Sequence, residues 1–187
     1  MISISAIYSV SIIVFLAIPV LQLIINPSSI TEDPKADDTM SVVDKTASQA
    51  VALFAIVLVI IQFILDNGDK ISTEEMKVIS LLSMCAGFLM LTFAFEMIGG
   101  LRLLVFHLQL TALRYSGLLL FTSLLFLLNM YPLNGLIYDM YLIFVVLVWS
   151  IWIIHEAHFL FINQRKIWKN KDATYSRWIR KWYEESN

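Results

Sequence analysis

Five long apolar segments, each nearly free of charge, constrain this chain of 187 residues more than any other feature. The hydrocarbon layer of a bilayer is about 30 Å thick, and about 20 helical residues are needed to cross it. Within that layer every backbone N–H and C=O group needs an internal hydrogen bond, which a helix supplies. The sequence therefore predicts an all-α, polytopic integral membrane protein with five transmembrane helices, at residues 1–25, 47–65, 78–98, 101–130 and 136–162.

Composition supports a membrane domain and excludes two other classes of protein. Hydrophobic residues make up 59% of the chain and charged residues 15%, against roughly 45–50% and 25% in soluble domains. A soluble enzyme of this size cannot bury so much apolar surface, and a disordered chain would need low hydrophobicity and high charge. We predict a five-helix transmembrane domain at residues 1–163 and a separate C-terminal tail at residues 164–187.

Turn and capping residues mark the ends of the spans. The first span carries no charge, contains Pro19, which predicts a kink, and stops before Pro27. A cleaved signal peptide is the alternative for this span, although it is long and lacks a basic start and a small-residue cleavage site. Residues 26–46 then predict a solvated acidic loop. Ser72 and Glu75 match the N-cap and N3 positions of a capping box that opens the third helix.

Basic residues are distributed unevenly between the two sides of the predicted membrane domain. An odd number of spans places the two termini on opposite sides. With the tail in the cytoplasm, ten Lys and Arg residues lie inside, whereas Lys70 and Lys77 alone lie outside. Cytoplasmic flanks of membrane helices carry an excess of Lys and Arg. The sequence thus predicts a multi-pass membrane protein with its N-terminus outside and its C-terminus in the cytoplasm.

The tail combines basic residues with aromatic residues at helical spacing. Such a segment predicts an amphipathic helix in the headgroup region, where basic side chains are attracted by anionic lipid. The predicted lipid-contacting residues are Lys166, Trp168, Lys169, Tyr175, Arg177, Trp178, Arg180 and Trp182. An alternative is that the tail packs on the acidic loop, which lies on the same predicted side. Nucleic-acid binding is disfavoured, because a stripe of tryptophans suits lipid or a partner subunit better.

Ionisable residues gather where the third, fourth and fifth spans meet the predicted cytoplasmic side. Charged groups inside a membrane segment cost a few kcal/mol each, so they are candidates for function. The candidate buried polar cluster, or ion or proton path, consists of Glu96, Arg102, His107, Arg114 and Glu156. The simpler interpretation is that these side chains reach the interface and form ion pairs there.

The three histidines of the chain suggest a metal site. His155 and His158 lie three residues apart on one face of the fifth helix, and His107 is expected at a similar depth on the antiparallel fourth helix. Three imidazoles and a carboxylate would suit copper, zinc or iron. The sequence does not identify a cofactor: the favoured prediction is that none is bound, and a metal ion, or haem ligated by these histidines, is the alternative. Such a site requires that the two helices be neighbours with their histidine faces turned together.

Arg114 lies deep within the fourth span, where a guanidinium group needs an acceptor. Besides Glu156, the carboxylates within the membrane are Asp139 and Glu96, and these two are the predicted partners, with a second chain or a lipid headgroup as the alternative. A second polar line on this helix consists of Arg102, Gln109 and Ser116. Polar residues on two faces predict that the fourth helix is surrounded by protein.

No catalytic signature accompanies these residues: the sequence contains no phosphate-binding loop, serine-hydrolase motif, zinc-protease motif or potassium-filter motif. The leading hypothesis is a small membrane subunit with a structural or assembly role in a larger complex, whose partners are the bilayer, other membrane subunits or further copies of itself. One alternative is a channel or transporter element with a polar path through Arg114, His107 and Glu96. Another is a membrane-bound oxidoreductase component that uses a histidine-bound metal.

Overall fold

The computed structural model describes residues 4–26, 29, 39–66, 71–96, 103–130 and 135–164. Within these ranges the chain is helical almost throughout and has no strand, and five helices are long and apolar enough to span a membrane. They are α1 (Ile4–Ile25), α2 (Thr39–Asp66), α3 (Thr73–Ala94), α4 (Leu103–Met130) and α5 (Gly135–His158), and a π-helix (Phe159–Gln164) continues α5. The prediction of five apolar, membrane-spanning helices is confirmed, and α1 stays helical through Pro19.

Helix α2 begins eight residues before its predicted span. Its N-terminal turns are helical because the apolar stripe that packs on the bundle continues into them. Four buried residues recur at sevenfold spacing along this stripe: Val43, Ala50, Val57 and Ile64. Polar side chains in these turns bond back to the helix, as where Thr46 Oγ1 donates to the Val42 carbonyl at 2.7 Å. The prediction of a loop up to residue 46 is therefore wrong for residues 39–46.

The start of α3 has the capping box that its sequence predicts. The Glu75 N–H donates to Ser72 Oγ at 3.2 Å, and the Ser72 N–H donates to Glu75 Oε2 at 2.6 Å. Two N–H groups that would otherwise lack a helical partner are thereby bonded. This prediction is confirmed, and it places the start of α3 at Thr73.

Helices α3 and α4 form the most extensive helix pair of the bundle. Helices α1 and α2 each contact both members of this pair, and α5 packs on α4. Helix α4 therefore contacts all four other helices. Its polar residues Gln109 and Ser116 are fully buried, whereas Arg114 on the other polar line is 44% exposed. The fourth helix therefore faces protein on several sides but not on all, and the prediction that protein surrounds it holds only in part.

Tyr115 of α4 is the centre of an aromatic cluster that joins four helices. Its side chain is fully buried, and its ring centroid lies 5.0 Å from that of Phe88 and 5.6 Å from that of Trp152. The rings of Phe15 and Trp149 lie 6.1 and 6.0 Å away. Aromatic pairs at such distances contribute packing energy beyond the area that they bury. Without a hydrophobic force between helices in lipid, packing of this kind stabilises the bundle.

Candidate functional site

Arg114 of α4 meets two consecutive residues of α5. Its Nη1 lies 2.9 Å from Nε2 of His155 and 3.5 Å from Oε1 of Glu156. Arginine has donors only, so Arg114 donates in both contacts and Nε2 of His155 accepts. These three residues are called the Arg114 cluster below.

The ion pair of Arg114 is with Glu156, and the predicted pairing with Asp139 or Glu96 is wrong. The reason is the antiparallel packing of α4 and α5, which places the first half of α4 beside the second half of α5. Asp139 comes only four residues after α5 begins, so it lies beside the end of α4 rather than its middle. Counting equal numbers of residues from the end of α4 and the start of α5 leads from Arg114 to Ile151. Glu156 is the carboxylate nearest to that position, but the count alone does not pair it with Arg114.

The two charges of the Arg114 cluster differ in exposure. The Glu156 side chain is 8% exposed, whereas the Arg114 side chain is 44% exposed at the surface of the chain. Arg114 lies eleven residues after the start of the 28-residue α4, which is about 17 Å along a helix of about 42 Å. A half-exposed guanidinium therefore sits near the middle of a membrane-spanning helix, with its carboxylate beneath it.

A groove between α4 and α5 adjoins the Arg114 cluster. Its volume is about 350 Å³, and apart from Arg114 and His155 it is lined by Gly117, Leu118, Phe121, Val148, Ile151 and Trp152. Trp152 is 8% exposed, and within the part of the chain that the structure describes its buried indole N–H has no hydrogen-bond partner. The groove is thus an apolar surface with a guanidinium at one end.

His107 lies on another face of α4 and takes part in a separate contact. Its Nδ1 lies 2.7 Å from Nε2 of Gln22, a buried residue of α1. Its ring also meets the ring of Phe159 edge to face, with the centroids 4.5 Å apart. Sequence reasoning missed Gln22, although a lone amide in an uncharged membrane span was a usable signal. The contact holds α1, α4 and the π-helix together.

The structure does not bring the three histidines into one site. His107 contacts Gln22 and Phe159, His155 contacts Arg114, and His158 is exposed. Among residues 4–26, 29, 39–66, 71–96, 103–130 and 135–164, no three His, Cys, Asp or Glu side chains are arranged to hold a metal ion.

The remaining predicted site residues lie apart from the Arg114 cluster or outside the described ranges. Glu96 is half-buried in the turn that follows α3. Arg102 is outside the described residues, and so are all eight of the predicted lipid-contacting residues of the tail and the central part of the acidic loop.

Comparison with known proteins identifies no relative of this chain. No family model, curated protein or solved structure matches the chain. Its function is therefore argued from its own geometry.

Proposed function

We propose that this protein is a structural subunit of a membrane complex and that it docks onto its partner through the α4–α5 face carrying the Arg114 cluster. The observation that supports this proposal is the exposed guanidinium of Arg114 near the middle of a spanning helix. Lipid tails offer no acceptor for its N–H groups, and an ionised side chain facing lipid is costly.

The partner needs a hydrogen-bond acceptor at this depth. Arg114 uses Nη1 toward both His155 and Glu156, and a guanidinium carries five N–H donors in a planar fork. A carboxylate, side-chain amide or hydroxyl on a partner's transmembrane helix would accept from the donors that face outward. Because Glu156 already balances the charge of Arg114, the partner's group need not be ionised.

The surroundings of Arg114 suit a helix–helix contact. An added Cβ at Gly117, three residues along α4, would meet no atom within 4 Å, so a partner helix can approach closely there. Along α5 the neighbouring apolar side chains are exposed, and Ile151 is one of the most exposed at 66%. This face combines a polar anchor with an apolar contact surface, and both features contribute to the association of membrane helices.

Cysteine cross-linking in native membranes tests the docking face. In Ile151→Cys the new thiol lies in the groove, whereas in Ile153→Cys it lies at the same depth but about 200° around α5. Both positions are exposed, and the native Cys85 is buried. We expect a cross-linked product, to another subunit or to a second copy, from Ile151→Cys and none from Ile153→Cys. Equal cross-linking of the two variants would contradict the proposal.

The mass of the assembly in mild detergent provides a second test. We expect Arg114→Leu to release the partner and Arg114→Lys to weaken it, because lysine retains the charge but not the planar fork. If Arg114→Leu retains the full mass of the assembly, Arg114 reaches water or lipid headgroups and the proposal is wrong.

A proton or ion path is a second proposal, supported by the Gln22–His107 contact. That contact places a titratable imidazole against an amide inside the bundle, on the same helix as Arg114. At the depth of Arg114, however, the bundle interior is filled by Tyr115 and its aromatic neighbours, so a path along α4 would need that packing to open. Proton flux into liposomes that depends on His107, and is lost in His107→Phe, would favour this function over assembly.

The orientation of the protein completes the proposal. The excess of basic residues supports a cytoplasmic C-terminus and an external N-terminus, with the aromatic and basic tail lying on the inner headgroups. A cysteine placed at Asn187 is expected to resist an impermeant thiol reagent in intact cells. Labelling from outside would reverse the topology.

A further inference from the structure

A crevice unrelated to the Arg114 groove opens among α1, α3, α4 and α5. Its volume is about 560 Å³, within the range of about 300–1,000 Å³ that is typical of ligand sites. Its walls are mainly apolar and include Val10 and Val14 of α1, Leu119 and Phe126 of α4, and Trp149 of α5. These residues define what is called the α1 crevice below.

Buried residues line the floor of the α1 crevice, and a lysine lies at one end of it. Tyr115 and Ser11 are buried and line the floor, while Trp149 donates to Thr122 Oγ1 at 3.1 Å. From Tyr115 to Phe126 the crevice follows eleven residues of α4, or about 17 Å. Lys77 contributes to the lining, one turn after the start of α3.

Lys77 is turned toward the bundle rather than away from it. Its side chain is 12% exposed, although it pairs with Glu74, whose side chain is 49% exposed. The carboxylate is therefore on the solvent side of the pair and the lysine stem lies along the crevice. An ammonium group has three N–H donors, and the pair with Glu74 leaves donors for a further acceptor.

The mainly apolar lining of the α1 crevice indicates a hydrocarbon chain as its occupant. Water is disfavoured because the walls offer it few polar partners. A single hydrocarbon chain needs no hydrogen bonds and is narrow enough.

We infer that the α1 crevice binds an anionic membrane lipid, with one acyl chain lying between α1 and α4 and the headgroup phosphate accepting from Lys77. The apolar walls select the chain, and the ammonium group at the end of the crevice, where α3 begins, selects the negative charge. The site shares no lining residue with the Arg114 groove. The inference of a lipid site is therefore independent of the proposed docking function.

Lipid retention measured by native mass spectrometry tests this site. The protein is released from nanodiscs that contain equal amounts of phosphatidylglycerol and phosphatidylcholine. We expect the wild-type protein to retain one phosphatidylglycerol in preference to phosphatidylcholine. Lys77→Gln is expected to lower that preference by about tenfold, since a charge-assisted hydrogen bond is lost, whereas Lys45→Gln, at an exposed lysine of α2, is expected to leave it unchanged.

A pair of bulky variants on α1 separates the crevice from the rest of the lipid-facing surface. Val14→Trp fills the crevice and is expected to abolish retention of the lipid. Ile13→Trp adds the same side chain at a neighbouring position that is 65% exposed, and retention is expected to match the wild type. Equal retention of the two lipids by the wild type would overturn the inference, as would undiminished retention by Val14→Trp.

Discussion

Helices α4 and α5 are antiparallel neighbours of similar length, yet α4 lies at the centre of the bundle and α5 at its periphery. In the membrane-spanning segment of α4, 44% of the residues are buried, against 11% in the segment formed by α5 and the start of the π-helix. The mean hydropathy is 1.6 for α4 and 2.2 for α5, so the less apolar helix is the one inside. In lipid, apolarity does not drive a helix into the protein interior, because the surrounding tails are equally apolar.

Polar side chains account for the difference between the two helices. Four polar residues of α4 are buried, including Gln109 and Ser116, and Cys85 of α3 donates to the Ser116 carbonyl at 3.1 Å. On α5 the buried polar residue is Glu156, which pairs with Arg114 of α4. Hydrogen bonds and close packing therefore hold α4 at the centre, while α5 is attached along one side and presents the rest of its surface outward.

The largest predicted effect comes from removing the aromatic centre of α4. Tyr115→Ala is expected to lower the free energy of unfolding by about 3–5 kcal/mol, because it empties a fully buried site in contact with four rings. Titration with a denaturing detergent, followed by circular dichroism, measures this loss. Phe144→Ala on α5, where the ring is 44% exposed, is the control and is expected to cost less than about 1 kcal/mol. Similar losses for the two variants would remove the distinction between the helices.

The contact between the two helices is tested by the Arg114–Glu156 pair. Arg114→Leu leaves the Glu156 carboxylate buried without its cation and is expected to cost about 2 kcal/mol, less than a fully buried pair because the guanidinium is half-exposed. Adding Glu156→Gln is expected to restore most of this loss. A double-mutant cycle on purified protein measures the coupling, and independent, additive effects would contradict the pairing.

A smaller effect is expected where α4 meets α1. Gln22→Leu removes the contact with His107 at 2.7 Å and is expected to cost about 1 kcal/mol, the scale of hydrogen bonds between membrane helices. The melting temperature in detergent reports the change. Gln62→Leu replaces an exposed glutamine of α2 and is expected to leave the melting temperature unchanged or slightly higher. A larger decrease for Gln62→Leu than for Gln22→Leu would contradict this prediction.

The smallest effect is expected on the outward face of α5. Ile143→Ala truncates a side chain that is 60% exposed and is expected to change the free energy of unfolding by less than about 0.5 kcal/mol. Val145→Ala, two residues away at a buried position, is expected to cost more although it removes fewer atoms. The reverse order would show that α5 is rotated relative to this structure.

Local signals in the sequence predicted several features of the fold because each depends on a few adjacent residues. The capping box at Ser72 needs only two side chains at a fixed spacing, and it is present as predicted. Helix α2 begins before its predicted start, because the charged residues Asp44 and Lys45, which fall within the predicted acidic loop, are part of the helix. Both side chains are exposed, and a helix tolerates charges on a face that its packing leaves open.

The candidate site was predicted only in part. Arg114 was identified as a buried cation in need of a partner, but its partner depended on the register of two helices and on their rotation. Glu156 became the partner because the α4–α5 hairpin places it opposite Arg114. The contact of His107 with Gln22 depends on a third helix, distant in the sequence.

By itself, the sequence determined that the described chain forms five apolar helices, because a segment that crosses lipid has to bond its own backbone groups. It also determined which helix carries polar residues on several faces. Only the tertiary structure decided which faces of the helices turn inward and which polar residues meet. The physical reason is that the interior and the lipid are both apolar, so hydrophobic periodicity does not mark the buried face of a membrane helix. That face is decided by packing, as around Tyr115, and by a few polar contacts such as that of Arg114 with Glu156.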